Sequence, residues 1–267
     1  METIRLGSTG DSVTKLQELL NKWGYATPIN GIFDDDTNSA VCQMQDDRSL
    51  TVDGVVGSKT WTILQDDFEL TLHSLRIKEQ DYVDVANFLD VDVAAVKAVK
   101  SVETGFSRGF VDVEKPVILF EGHIFWQQLE KNGLTPGDYV NGNEDILYSK
   151  WSRGHYVGGK GEYDRLNRAI SIHRVAALAS ASWGLFQIMG FNYASCGCSG
   201  VEDFVGKMQK DEGTQLNIFA QFIKSNSLDK HLRDLNWSEF ARRYNGPSYA
   251  QNKYDTKLHD AYERYKK

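Results

Sequence analysis

The sequence predicts a mainly α-helical protein in two parts, a small three-helix domain followed by a larger helical domain with a minor loop or β-hairpin region. Three observations carry this expectation. A turn-then-helix pattern occurs twice within the first 65 residues. Apolar residues recur at helical spacing over most of 79–131 and 163–266. Between those runs lies an interval dense in Gly, Pro and aromatic residues.

The chain has 267 residues, a length that suits one large or two ordinary domains, with the composition of a soluble globular protein. It has no run approaching the roughly 20 apolar residues that span a bilayer. The opening Met-Glu-Thr-Ile-Arg-Leu-Gly lacks the charged and apolar regions of a signal peptide, so synthesis in the cytosol is expected. Three cysteines, Cys42, Cys196 and Cys198, do not read as a disulfide framework. The net charge of -7 is concentrated at the front: residues 1–70 hold 5 Lys and Arg against 12 Asp and Glu, whereas the remainder holds 25 of each. Neither part has the basic excess of a nucleic-acid binder.

The first helix opens at Asp11 or Ser12 as cap, carries the apolar stripe Val13, Leu16, Leu19 and Leu20, and stops near Gly24. Asn30-Gly31-Ile32-Phe33 with Thr37, Ala40 and Val41 is then echoed by Asp53-Gly54-Val55-Val56-Gly57 with Thr60, Trp61 and Leu64. In each half an Asn-Gly or Asp-Gly turn, tolerant of positive φ, precedes a short amphipathic helix. The domain is expected over residues 1–67, a junction over 68–78 and the second domain over 79–267. In the second domain the spacing predicts helices near 79–89, 92–103, 121–131, 163–179, 184–191, 201–209, 212–225, 228–234, 237–243 and 255–266. From Asn132 to Gly161 eight of thirty residues are Gly or Pro, interleaved with Tyr139, Tyr148, Trp151, His155 and Tyr156. A loop or small hairpin rich in aromatic surface is expected there.

Two carboxylates have unusual settings. Val96 and Val99 precede Glu103 by seven and four residues, so at about 100° per residue the acid falls on the apolar stripe. It also occupies the last turn of its helix, before Gly105, where the macrodipole disfavours negative charge. Both effects raise a carboxyl pKa, as a general acid requires. Glu121, by contrast, follows Val117-Ile118-Leu119-Phe120 and opens a helix, where an anion is favoured. Such a contrasting pair suits acid and base in glycoside hydrolysis, although a fraying end and an ordinary helix start explain the same residues without catalysis.

In the front part, Leu6-Gly7, Leu16-Gln17, Gly24-Tyr25, Gly31-Ile32-Phe33, Thr37, Ala40-Val41, Gln45, Asp53-Gly54, Gly57, Thr60-Trp61 and Leu64 together form a pattern. That pattern resembles the helical peptidoglycan-binding domain of cell-wall hydrolases. It departs at Asn30 and Asp34, where Asp and Gly are more usual. Ser182-Trp183-Gly184-Leu185-Phe186-Gln187-Ile188-Met189-Gly190 and Tyr244-Asn245-Gly246 resemble runs of lysozyme-like muramidases and transglycosylases. With Val102-Glu103-Thr104-Gly105, Ile118-Leu119-Phe120-Glu121-Gly122-His123, Phe240-Ala241-Arg242 and Tyr254-Asp255, the second part is most similar to the N-acetylmuramidase domain of phage endolysins.

That resemblance implies a lysozyme-like fold and hydrolysis of the bond between N-acetylmuramic acid and N-acetylglucosamine for host lysis. It implies Glu103 as acid, Glu121 as the second carboxylate, and Gln187, Tyr244 and Asn245 as sugar contacts; the aromatic, Gly-rich interval itself offers Trp151 and Tyr156 as stacking faces at the cleft edge. The expected partner is peptidoglycan, its glycan strands and stem peptides, met by a monomer after holin-dependent release, without nucleic acid or stable membrane association. A lytic transglycosylase and a non-catalytic wall-binding virion protein are the rival readings. No cofactor or metal is expected: Cys196-Gly197-Cys198 lacks a second ligand pair, the six histidines are scattered, and Ser180 and Ser182 lack a nucleophile elbow.

Overall fold

In the computed structural model, residues 2–105 and 107–267 are described, and the chain divides into two compact units, Met1–Ser74 and Leu75–Lys267. The architecture is mainly helical, with a few short strands confined to the second unit.

The first unit contains α1 (Asp11–Lys22), α2 (Asp35–Asp47), α3 (Ser58–Leu64) and α4 (Asp67–Ser74). The cap position of α1 falls on Gly10, at φ 104°, and not on Asp11 or Ser12. The helix ends where expected: Gly24 takes φ 88° and Tyr25 N–H returns to Leu20 O, closing the last carbonyls. The repeated turns have one internal design. Gln17 Oε1 accepts from Asn30 and Gly31 N–H, and its amide donates to Asn30 Oδ1, Ile32 O and Thr37 Oγ1. Gln45 treats Asp53, Gly54 and Val55 likewise. Both glutamines are buried, as are Leu16, Leu20, Trp23, Phe33, Met44 and Trp61. The repeated motif is thus a device for satisfying turn backbone inside a small core.

The second unit begins with α5 (Glu79–Leu89) and α6 (Val93–Thr104), the latter capped by Asp92, which accepts from Ala94 N–H at 2.9 Å. A two-stranded hairpin, β1 (Phe110–Asp112) and β2 (Lys115–Pro116), precedes β3 (Ile118–Phe120) and α7 (Gly122–Lys131). The hairpin thus lies before the aromatic interval; within that interval the regular structure is two 3-10 turns, Pro136–Tyr139 and Arg153–His155. Side chains, not a strand ladder, hold this interval in place.

After α8 (Gly161–Ala179) come β4 (Ala181–Trp183) and β5 (Ile188–Met189), which complete an antiparallel sheet in the order β3-β4-β5. Phe120 pairs with Ala181, and Trp183 with both Ile118 and Ile188. The helix expected near 184–191 is therefore a tight turn and a strand. Gly184 and Gln187 take φ of 70° and 49°, which no α-helix accommodates. Helix α8 is itself broken at His173, whose Nδ1 accepts from Ala176 N–H at 3.1 Å and restarts the helix. Five helices follow: α9 (Val201–Met208), α10 (Glu212–Ser225), α11 (Asp229–Arg233), α12 (Trp237–Asn245) and α13 (Tyr254–Tyr265). α13 lies along α6, over a core that includes Ala95, Ala98 and Val99. No helix among the described residues is long and apolar enough to cross a membrane.

Candidate active site

Glu103 ends α6 on a half-buried face, and Gly105 at φ 55° turns the chain away immediately after it. Helix α12 delivers Tyr244 and Asn245 to the same place. Asn245 Nδ2 donates to Glu103 Oε1 at 3.1 Å. Burial raises the Glu103 pKa, and the Asn245 hydrogen bond only partly offsets that rise. Tyr244 packs edge-on to Phe219, with centroids 5.6 Å apart, and lies over Phe240 at 5.8 Å. Burial first, then the Glu103 charge, push its phenol well above the ordinary tyrosine range. An acid enclosed by aromatic surface and one neutral amide keeps its proton more readily than one in water.

The turn Gly184–Gln187 is built for close approach. Gln215, fully buried, accepts from Leu185 N–H at 2.7 Å and donates to Met208 O. A Cβ on Gly184 would meet that amide at 2.7 Å, and one on Gly109 would meet it at 2.5 Å. Glu212, also buried, accepts from Gly109 N–H at 2.7 Å, fastening the strand region to α10. Gln187, an exposed residue, folds its amide back onto its own turn: Nε2 donates to Gly184 O at 2.7 Å and Val117 O at 3.3 Å, while Oε1 accepts from Ser182 at 2.8 Å.

Glu121 occupies the cap position of α7, at the end of β3, with its own backbone N–H bonded to Ser180 O. Its side chain does not cap the helix. Instead Oε2 accepts from the Tyr156 hydroxyl at 2.7 Å, and His123 Nδ1 stands 3.3 Å from the same oxygen. Tyr148 covers Gly122, where a Cβ would collide with its ring, and stacks on His155 at 4.1 Å. Trp151 is 57 % exposed, with the Arg153 guanidinium 5.7 Å over its ring. The structure therefore brings Glu103, Tyr244 and Asn245 together, and separately Glu121 and Tyr156. Among the described residues no hydrogen bond or ion pair joins the two groups.

Sequence reasoning missed Glu162 and Arg165. Glu162 is fully buried in the first turn of α8: Oε1 accepts from Val157 and Gly158 N–H, and Oε2 from Phe120 N–H and Arg165. Burial pushes its pKa up, but these three N–H donors and the guanidinium more than reverse that, leaving it below the usual glutamate value. Arg165 also donates to Phe120 O and Asp145 O. The available signal was a Glu-x-x-Arg pair on the face of α8 that also carries Leu166 and Ala169.

The thiols of Cys196 and Cys198 are free and buried, and burial pushes Cys196 up to about 12. No group of three or more His, Cys, Asp or Glu among the described residues is arranged to hold a metal ion.

The N-acetylmuramidase family model matches residues 92–266, and that of a putative peptidoglycan binding domain matches residues 9–64. Among solved structures, the crystal structure of Burkholderia AP3 phage endolysin is similar, with a TM-score of 0.69 and 37% sequence identity. The match covers 99% of this chain and 99% of that one.

Proposed function

The chain belongs to the N-acetylmuramidase family, with a peptidoglycan-binding domain ahead of the catalytic one, and from that premise we propose that Glu103 is its general acid. It is a glycoside hydrolase of the muramidase type. Its role is that of an endolysin: it cuts the glycan of the bacterial wall between N-acetylmuramic acid and N-acetylglucosamine, as a monomer that reaches the wall after holin-dependent release. The observation that carries the acid assignment is the placement of Glu103, partly buried in the last turn of α6 with one neutral hydrogen-bond partner, an enclosure that raises its pKa.

Glu103 protonates the departing glycosidic oxygen. Glu121 is the second carboxylate, which orients a water or steadies the oxocarbenium-like transition state. Asn245 holds the Glu103 carboxyl in one rotamer, and Tyr244 forms the wall of its pocket. Gln187 shapes the turn beside the sheet, since its amide is engaged by Ser182, Gly184 and Val117. Trp151 offers an exposed ring for a sugar face.

The test is Glu103→Gln, which conserves shape and removes the proton donor. Lysis of purified sacculi should cease while sedimentation with them persists; substantial residual turnover would sink the assignment. Mass spectrometry of wild-type products should show reducing muramic ends, whereas anhydro ends would replace hydrolysis by transglycosylation.

A further inference from the structure

We propose that Tyr156 is a positioning residue for Glu121, and that the buried carboxylate of Glu162 is the jig that sets the distance between them. The proposal rests on Glu121 being the second carboxylate of the reaction.

Glu121 and Tyr156 come from segments 35 residues apart, yet the phenol donates to Glu121 Oε2 at 2.7 Å. The loop that carries Tyr156 does not hold such a bond unaided, because ordering each of its residues costs backbone conformational entropy. Here Glu162 ties that loop to the end of β3, which the sheet and Ser180 O hold in place. Glu162 Oε2 accepts from the N–H of Phe120, the residue before Glu121, at 3.0 Å. Its other oxygen accepts from the N–H of Val157, the residue after Tyr156, at 2.8 Å. A single carboxylate thus grips the neighbours of both partners. Arg165 completes the clamp, donating to Phe120 O at 2.8 Å and to Glu162 at 2.7 Å, with its guanidinium 5.7 Å over the Tyr156 ring.

The consequence for Glu121 is an asymmetric carboxylate. Oε2 is occupied by Tyr156 and flanked by His123 at 3.3 Å, whereas Oε1 accepts no hydrogen bond from the described residues. Anchoring one oxygen leaves the other aimed and available for a water or a developing positive charge, which is the preorganisation that electrostatic catalysis requires. The aromatic interval therefore acts on the reaction through Tyr156 and Glu121, in addition to any surface it offers a sugar.

Tyr156→Phe keeps the ring on Arg165 and removes only the hydroxyl. On solubilised peptidoglycan it should lower kcat about tenfold and leave KM within about twofold, since the charge-assisted hydrogen bond to the catalytic carboxylate is lost. The melting temperature should be unchanged. Glu121→Asp withdraws the carboxylate from the phenol, so adding Tyr156→Phe to it should cost no further activity. An equal loss in both backgrounds, or a loss confined to KM, would overturn the proposal by making Tyr156 a structural or sugar contact. Activity retained in Tyr156→Phe while Glu121→Gln is inactive would overturn it as well. If Glu121→Gln is itself fully active, the role of Glu121 falls first, and that result is separate from the others.

Discussion

Glu162 and Glu103 are carboxylates in the same helical unit, one in the first turn of α8 and the other in the last turn of α6. Glu162 has no solvent-exposed surface, yet its pKa is lowered, while that of partly exposed Glu103 is raised. Three backbone N–H groups and Arg165 converge on Glu162, and the start of a helix favours its charge. Glu103 accepts one hydrogen bond among the described residues, from an uncharged amide, at the helix end that opposes its charge. Burial alone does not decide what an acid does. The donors that accompany it decide, and they separate a scaffold carboxylate from one left able to give up a proton.

The sharpest way to break this contrast is to take a donor from Glu162. Arg165→Met conserves the aliphatic bulk and strands a fully buried anion, so the fold should lose about 3 kcal/mol, read from urea unfolding monitored by tryptophan fluorescence. A loss under about 1 kcal/mol would mean the backbone donors suffice without the guanidinium. The same reading explains why the scaffold was hidden in the sequence. Glu162 reaches Phe120 across 42 residues and Arg165 reaches it across 45, and no local pattern encodes such contacts. Local features were legible: the stripe of Val96 and Val99 leading to Glu103, and Gly105 after it, stand in α6 as spacing implied.

The stretch after β4 shows the opposite limit. Leu185, Phe186 and Ile188 are all buried, so their spacing imitates a helical stripe, but Gly184 and Gln187 in left-handed backbone make the segment a turn into β5. That turn depends on Gln215, which lies in a later helix and whose amide excludes any Cβ at Gly184. Glu121 was legible as the opening of α7, whereas its bond to Tyr156 was not, because the phenol arrives from a loop ordered by Glu162.

A smaller perturbation acts on the Asn245 donor of Glu103. The Asn245 amide favours the ionised carboxylate and so holds its pKa below what burial alone would give. Asn245→Leu removes that support, and the acid should stay protonated to higher pH. The alkaline limb of the kcat/KM profile should therefore move up by about one pH unit, alongside a lower maximum from the freed rotamer. A limb that moves down, or stays in place, would show that another group sets it.

The smallest effect follows from linkage. The folded state binds the Glu103 proton more tightly than the unfolded chain does, because its pKa is raised in the fold. Below the unfolded value both states are protonated and the group contributes nothing to stability. As pH rises from the unfolded value to the raised folded one, the unfolded chain ionises first, so a penalty develops and is complete above the folded value. Glu103→Gln cannot ionise and escapes that penalty. At pH 8 the variant should melt about 2 °C above the wild type, and near pH 4 the two should coincide. An advantage that instead appeared only at low pH would reverse the sign of the shift and with it the reading of Glu103 as a protonated acid. The same substitution that ends catalysis should leave the fold more stable, because the enclosure that makes this carboxyl a proton donor is unfavourable to its charge.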